Sequence, residues 1–255
     1  MKPTLTFCAP PDIPEIQPGD DLAAIIGASC QRHSIELTAS SVIVIAQKVV
    51  SKAEGRYVDL KRIQPSTRAL ELAGVTGKDP RLVEAILAES TQVIRAVRGV
   101  LIVRHRLGLV MANAGIDHSN VPAAADQERV LLLPEDPDLS ACRLRERFAS
   151  LCGDAPGVVI SDSFGRPWRH GVTNVAIGCA GIAALIDRRG EHDRHGNVLE
   201  VTQVAHADAI AAAAALQMGE GAEGLPVVVI QGLACRAPVT DSKALIRPLN
   251  EDLFQ

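Results

Sequence analysis

Aromatic side chains are scarce in this chain: one Trp, one Tyr and four Phe, 2% of 255 residues. That excludes a sandwich core filled by rings. The 47% of hydrophobic residues must then be mostly Ala, Val, Leu and Ile, which suits helices packed on buried strands. There is no CxxC pair among the six cysteines, Cys8, Cys30, Cys142, Cys152, Cys179 and Cys235, so neither a disulfide framework nor a zinc ribbon is indicated. All six are read as reduced, several of them as small core hydrophobes. The longest apolar stretch, Ala209 to Met218, is mostly alanine and too short for a bilayer, and the N-terminus has no signal-like apolar region. A soluble, cytoplasmic protein is expected. The net charge is −4, from 26 basic and 30 acidic residues with no long run of one sign, which gives no support for nucleic acid or an anionic membrane as partner. A small-molecule partner is expected, and there is no internal repeat or low-complexity linker.

What is present reads as α/β, a mixed α+β chain. Asp20 is expected to cap a helix carrying Leu22, Ile25 and Ile26 on one face. Val42 to Ala46 is a continuous, mostly β-branched run, a strand buried on both faces, from whose end Lys48 and Lys52 leave. Asp79-Pro80 opens a helix through Glu89, and three short strands follow at Gln92–Val97, Val100–Val103 and Leu107–Met111, a meander suited to a second sheet. Asn113 to Pro122 is a loop by composition, Arg129–Leu133 a strand and Asp138–Cys152 a helix. Thr202–Met218 reads as a close-packed helix and Leu225–Ile230 as a strand.

The chemistry concentrates where Val158-Val159-Ile160 runs into Ser161-Asp162-Ser163. The strand is expected to break there into a loop from Phe164 to Gly171 that holds Arg166 and Arg169. A carboxylate and a hydroxyl at a strand end, followed by two arginines, have the parts to hold a divalent ion and a phosphorylated ligand. Asp117, Asp162, Ser163 and Glu220 form an oxygen-rich set of the kind Mg²⁺ or Mn²⁺ prefers, although any one Asp in a loop is more often a cap. Lys48 and Lys52 are either solvated strand-end charges or cations for nucleotide phosphates. Two phosphate patterns are discounted. Gly74-Val75-Thr76-Gly77-Lys78 is too short for a P-loop and reads as a surface turn. The run Gly219 to Gly224 matches GxGxxG, but a helix precedes it and a strand follows, the reverse of a Rossmann site. It is equally a flexible turn or a loop whose glutamates meet phosphate through a metal ion. His192 and His195 sit among Arg, Asp and Gly and read as a solvated turn.

Together these segments resemble the coenzyme F420-0:L-glutamate ligases. The resemblance runs from Ile13-Pro14-Glu15-Ile16 to about Gly232 and rests on QKVVSKAEGR (Gln47 to Arg56), ANAGIDHSN (Ala112 to Asn120), SDSFGRPWRHG (Ser161 to Gly171) and MGEGAEGLPVVVI (Met218 to Ile230). It implies a two-lobed fold particular to the family, neither Rossmann nor P-loop, with the smaller lobe around residues 90–155, and a homodimer with active sites near the subunit interface. It implies guanine-nucleotide contacts at Ile13, Pro14, Glu15, Ile16, Gln47, Lys48, Lys52, Asn120, Met218, Gly219, Glu220, Gly221, Ala222, Glu223, Gly224 and Leu225. Two divalent cations, Mg²⁺ or Mn²⁺, would be held by Asp117, Asp162, Ser163 and Glu220, with Ser163 standing where a threonine is often found. A potassium ion is also suggested. With the sequence ending at Gln255, no nitroreductase-like domain is expected after the ligase.

The implied activity is GTP-dependent attachment of L-glutamate to the lactyl carboxylate of F420-0 through an acyl phosphate, with further γ-linked glutamates left open. Lys48, Lys52, Arg166 and Arg169 are the expected catalytic cations, the arginines orienting the acceptor carboxylate or the coenzyme phosphodiester. The alternatives are a nucleotide-dependent acid-amine ligase for another carboxylate, such as a folate-type acceptor, and a nucleotide-binding regulator without turnover.

Overall fold

A computed structural model describes residues 4–117, 128–233 and 237–252. In chain order the first half contains β1 (Thr6–Cys8), α1 (Leu22–Arg32), β2 (Val42–Ala46), α2 (Gln47–Ala53), β3 (Tyr57–Asp59), α3 (Thr67–Thr76), α4 (Pro80–Ala88), β4 (Ser90–Val97), β5 (Val100–His105) and β6 (Val110–Ala112). The second half contains β7 (Arg129–Leu131), α5 (Pro137–Cys152), β8 (Gly157–Arg166), β9 (Arg169–Ala180), β10 (Leu185–Asp187), β11 (Gln203–Ala205), α6 (His206–Met218) and β12 (Val227–Gln231). The class is the mixed α/β one expected from composition.

The main sheet has the order β1-β12-β2-β8-β9, and its only parallel neighbours are β2 and β8. Their connection runs through residues 47–156. Alternation along these strands feeds two cores. Val158 and Ile160 face one core with Ile26, Phe148 and Leu133, while Val159 faces the other with Ile210, Ala211 and Met218 of α6. A third core, from Leu60 to Leu132, lies under the separate sheet β4-β5-β6 and the helices α3 and α4. The meander anticipated over residues 92–111 is this sheet.

Strand β9 lies at the edge of the main sheet, where backbone N–H groups lack a neighbouring strand. Two carboxylates take their place: the buried Asp138 of α5 accepts from the Cys179 N–H at 2.8 Å, and the half-buried Asp208 of α6 accepts from the Ala176 N–H at 2.9 Å. Between them the register slips, with Ile160 opposite Gly178 and Ser161 opposite Ala176, so Ile177 is the extra residue of a bulge. Asp138 also accepts from the backbone and hydroxyl of Ser242, which holds the C-terminal segment against β9.

Several expectations need correction. The residues from Phe164 to Gly171 are not a loop: β8 continues to Arg166 and pairs with β9, leaving a hairpin turn at Pro167-Trp168. Glycine at 165 and 171 and proline at 167 mimic a loop, but the ladder tolerates them in an exposed two-stranded arm. Lys48 and Lys52 leave a helix, α2, that starts as soon as β2 ends. Asp21, one residue past Asp20, caps α1 through the Ala24 N–H, while Asp20 accepts from the Gln17 N–H. Gly74 to Thr76 form the end of α3, which Gly77 terminates in the left-handed region with φ +71°. Helix α6 starts at His206 because Gln203–Ala205 pairs with β10.

A charged cluster centres on Glu89, at the end of α4 beside the third core. The Glu89 carboxylate receives Arg106 at 3.1 Å, Arg56 at 3.4 Å and His105 Nε2 at 3.4 Å, with His105 Nδ1 accepting from the Leu107 N–H. His105 and the two guanidinium groups outweigh burial and hold the Glu89 carboxyl down to about 2. A depressed carboxyl adds stability above its unfolded value, near 4.5, and that contribution fades as pH falls toward 2. Glu89→Gln is therefore expected to cost about 2–3 kcal/mol at neutral pH. Its acid-side decline between pH 4.5 and 2 should be shallower than in the unsubstituted protein. Urea titrations across that range check it; parallel acid profiles would assign the stability elsewhere.

Candidate active site

The site forms at the carboxyl ends of the parallel pair, where open α/β sheets place ligands. Strand alternation then sorts the donors. Asp162 follows Ile160 onto the face covered by α2, and Ser163 turns to the face of α6. On the first face lie Asp117 and Lys48, the Lys48 ammonium 3.5 Å from the Asp117 carboxylate. On the second, the Ser163 hydroxyl donates to Glu220, 2.7 and 2.9 Å from its two oxygens, with Asn174 Oδ1 at 3.2 Å.

Asp117 is delivered by an unusual turn. Asn113, Ala114 and Gly115 all lie in the left-handed region, with φ of 54°, 54° and 66°. Two successive non-glycine residues there cost roughly 1–2 kcal/mol each. At Gly115 a Cβ would come within 2.7 Å of Met111 and 3.0 Å of Leu133, so both backbone and packing require glycine. Beyond the turn, Asp117 exchanges both backbone hydrogen bonds with Leu131, at 2.9 and 3.0 Å. The Gln47 amide then fixes the carboxylate, with Nε2 2.8 Å from Asp117 Oδ2, and is itself held by the Ser51 hydroxyl at 2.9 Å. Gln47, expected against the nucleotide, is thus buried and directs its side chain to Asp117.

Burial, then the Asp117 charge, and more weakly that of Glu220 push the Asp162 carboxyl up to about 7, against the opposing pull of Lys48 and a backbone hydrogen bond. Like charges that raise one another's proton affinity are what a hard divalent cation relieves, and the donors are all oxygens, so the set fits Mg²⁺ or Mn²⁺ by chemistry. In the arrangement seen, no three His, Cys, Asp or Glu side chains among the described residues are grouped as a ready-made metal cage. Glu220 is held on Ser163 instead.

The remaining expected residues divide by burial. Lys52 is only 5% exposed and bonds Glu15 at 2.5 Å. Ile16 and Met218 bury their side chains in the first and second cores, so only their backbones are available to a ligand. Ile13 packs partly against the first core, and Pro14 is exposed. From Glu220 to Gly224 the loop after α6 is exposed, Leu225 is half-buried, and Glu223 folds back to accept from the Gly221 N–H at 2.8 Å. Gly219 has φ +69°, and the Glu223 carboxylate occupies the place a Cβ would take. Arg166 and Arg169 stand opposite one another near the tip of the β8–β9 arm, apart from the lysines. Asn120 lies outside the described residues.

Asn113, Ser161 and Asn174 were not anticipated. Asn113 Oδ1, in the first residue of the left-handed turn, and Ser161 Oγ, beside Asp162, are buried without a hydrogen-bond partner among the described residues. The strand reading around Ser161 could have drawn attention to it; the left-handed turn has no periodic signal.

The profile of the F420-0:Gamma-glutamyl ligase family matches residues 12–232. The chain is similar to the coenzyme F420:L-glutamate ligase of Methanopyrus kandleri, with 44% identity over 99% of this chain and 98% of that protein. It is also similar to the enzymes of that name from Methanothermobacter thermautotrophicus, at 44% over 95% and 96%, and Halorubrum lacusprofundi, at 46% over 88% and 85%. The described cysteines are all unbonded, and no described helix is long and apolar enough to cross a membrane. With a match that takes in every segment of the site, from Glu15 to Glu220, the chain belongs to the F420-0:gamma-glutamyl ligase family.

Proposed function

We propose that this protein uses GTP to join L-glutamate to the lactyl carboxylate of F420-0. The observation that carries this reading is the meeting of Lys48, Asp117, Asp162, Ser163 and Glu220, drawn from four separate segments, at one end of the parallel strand pair. A carboxylate cannot expel oxide when an amine attacks it, so it must first be activated. One of its oxygens attacks the γ-phosphorus, the bond to the β-phosphate oxygen breaks, and GDP leaves. The glutamate amine then attacks the acyl carbon, phosphate departs with the bonding pair, and the amine gives up a proton.

In this scheme Lys48 and Lys52 offset phosphate charge, and the loop from Met218 to Leu225 lies along the nucleotide. Asp117, Asp162, Ser163 and Glu220 would hold divalent ions, whose contribution is charge neutralisation on the phosphates. Gln47 fixes Asp117, and Arg166 and Arg169 bind the acceptor's anionic groups. Incubating the protein with F420-0, GTP, L-glutamate and Mg²⁺ or Mn²⁺ should yield GDP, phosphate and a product heavier by one glutamyl residue in mass spectrometry. Absence of that product, or glutamylation of a folate acceptor instead, would overturn the reading.

A further inference from the structure

The chain's single tryptophan occupies an unexpected place. Trp168 sits at the tip of the β8–β9 hairpin, is 89% exposed, and has φ +64°. A bulky side chain in the left-handed region is a true outlier. Pro167 before it sets the first turn residue, and glycine or asparagine would normally follow. Folding gains nothing from an exposed ring held in a strained turn, so the ring's use lies in contact with something outside the chain.

The arm sets the distance and the chemistry of that contact. Strand β8 carries Asp162 and Ser163 at the site and then runs on to Arg166, so the tip stands roughly 10–15 Å beyond the reacting centre at the usual strand rise. Arg166 and Arg169 pair across the strands on either side of the Pro167-Trp168 turn, and Arg166 donates to the His170 carbonyl at 3.2 Å. A Cβ built on Gly165 or Gly171 meets nothing, so the arm beside the ring is open. A ligand that suits this layout has a reactive carboxylate, an anionic group in the middle and a planar ring at its far end.

We propose that Trp168 is the stacking platform for the planar heteroaromatic ring of the acceptor, with Arg166 and Arg169 holding the anionic linker between ring and carboxylate. The inference rests on the reading of F420-0 as acceptor, whose tail from ring to lactyl carboxylate is about ten bonds, on the order of 12 Å when extended. That length spans the arm. Aromatic platforms of this kind hold a ring by its face, so the loss on truncation should fall on affinity for the acceptor alone.

The test is equilibrium binding of F420-0 and, separately, of GDP, each by ultrafiltration, together with steady-state kinetics. Trp168→Ala should weaken F420-0 binding and raise its KM by about 10- to 100-fold, with GDP affinity unchanged. Trp168→Phe should recover most of the loss. If the unsubstituted protein forms product but Trp168→Ala binds F420-0 normally, this inference falls and the functional reading stands; if that protein forms no product, the functional reading itself falls. Two further results would overturn the stacking role: a loss of GDP affinity in Trp168→Ala, which would make the ring a nucleotide contact, and a blue-shifted, concentration-dependent emission of the lone tryptophan without ligand, which would place it against a second copy of the chain.

Discussion

Asp162→Asn is expected to reduce glutamyl transfer by a thousandfold or more, roughly the scale for loss of a group that organises charge at phosphoryl transfer, while leaving the fold more stable in chelator. The second half of that expectation comes from the surroundings of Asp162. Its carboxyl is raised from near 3.8 to about 7, chiefly by burial and by Asp117. A raised carboxyl opposes folding when ionised: the penalty is absent below pH 4, grows between pH 4 and 7, and is complete above. An amide of the same shape escapes it, so the variant should gain about 1–2 kcal/mol at neutral pH, discounted for partial solvent access. Divalent ions should then raise the melting temperature of the unsubstituted protein and not of the variant. Native turnover, or equal responses to metal, would remove Asp162 from the site.

The second large effect is expected at Lys52, where Lys52→Ala should weaken GDP binding by about 1.5–3 kcal/mol through loss of a charge-assisted contact to phosphate. A lysine projecting past a strand would leave stability unchanged, but this one lies within α2 and is almost wholly buried. The substitution should therefore also cost about 1–2 kcal/mol of stability. Glu15 is 58% exposed at its side chain, so the two partners are not equivalent. Removing the exposed carboxylate in Glu15→Gln strands a buried ammonium and should destabilise the unliganded protein more than Lys52→Ala does. GDP should narrow that gap if its phosphates neutralise Lys52. Calorimetric titration and melting curves of both variants decide the matter; native GDP affinity in Lys52→Ala would confine Lys52 to the fold.

The central strands were legible because Val42–Ala46 and Val158–Ile160 are continuous apolar runs, and α4 because Asp79-Pro80 marks a helix start that the structure confirms by a hydrogen bond from the Arg81 N–H to Asp79. Turn-forming residues hid the β8–β9 arm, since Gly165, Pro167 and Gly171 are as common in loops as in an exposed hairpin. The site's supporting contacts have no sequence signal at all. Gln47 and Asp117 are 70 residues apart, and Glu15 and Lys52 are 37 apart. The packing of α2 against β7, whose Leu131 pairs with Asp117, and of the N-terminal segment against α2 makes these pairs neighbours. Likewise the left-handed turn at Asn113 to Gly115 depends on Met111 and Leu133 closing around a glycine, which no local pattern announces.

The parallel pairing of β2 with β8 has a kinetic consequence. Those strands can meet only after the chain closes a loop of roughly 110 residues, residues 47–156, and the entropy of closure grows with the logarithm of that length. If the part built around the third core, Leu60 to Leu132, folds first, the effective loop shrinks to the tethers on either side of it, and closure becomes easier by about 1 kcal/mol. The smaller sheet would then act as a clasp during folding, drawing the carboxyl end of β2, which leads into Lys48, toward the start of β8 at Gly157. On that account a substitution deep in the third core, such as Val103→Ala, should slow assembly of the main sheet even though Val103 belongs to a core separate from both faces of that sheet.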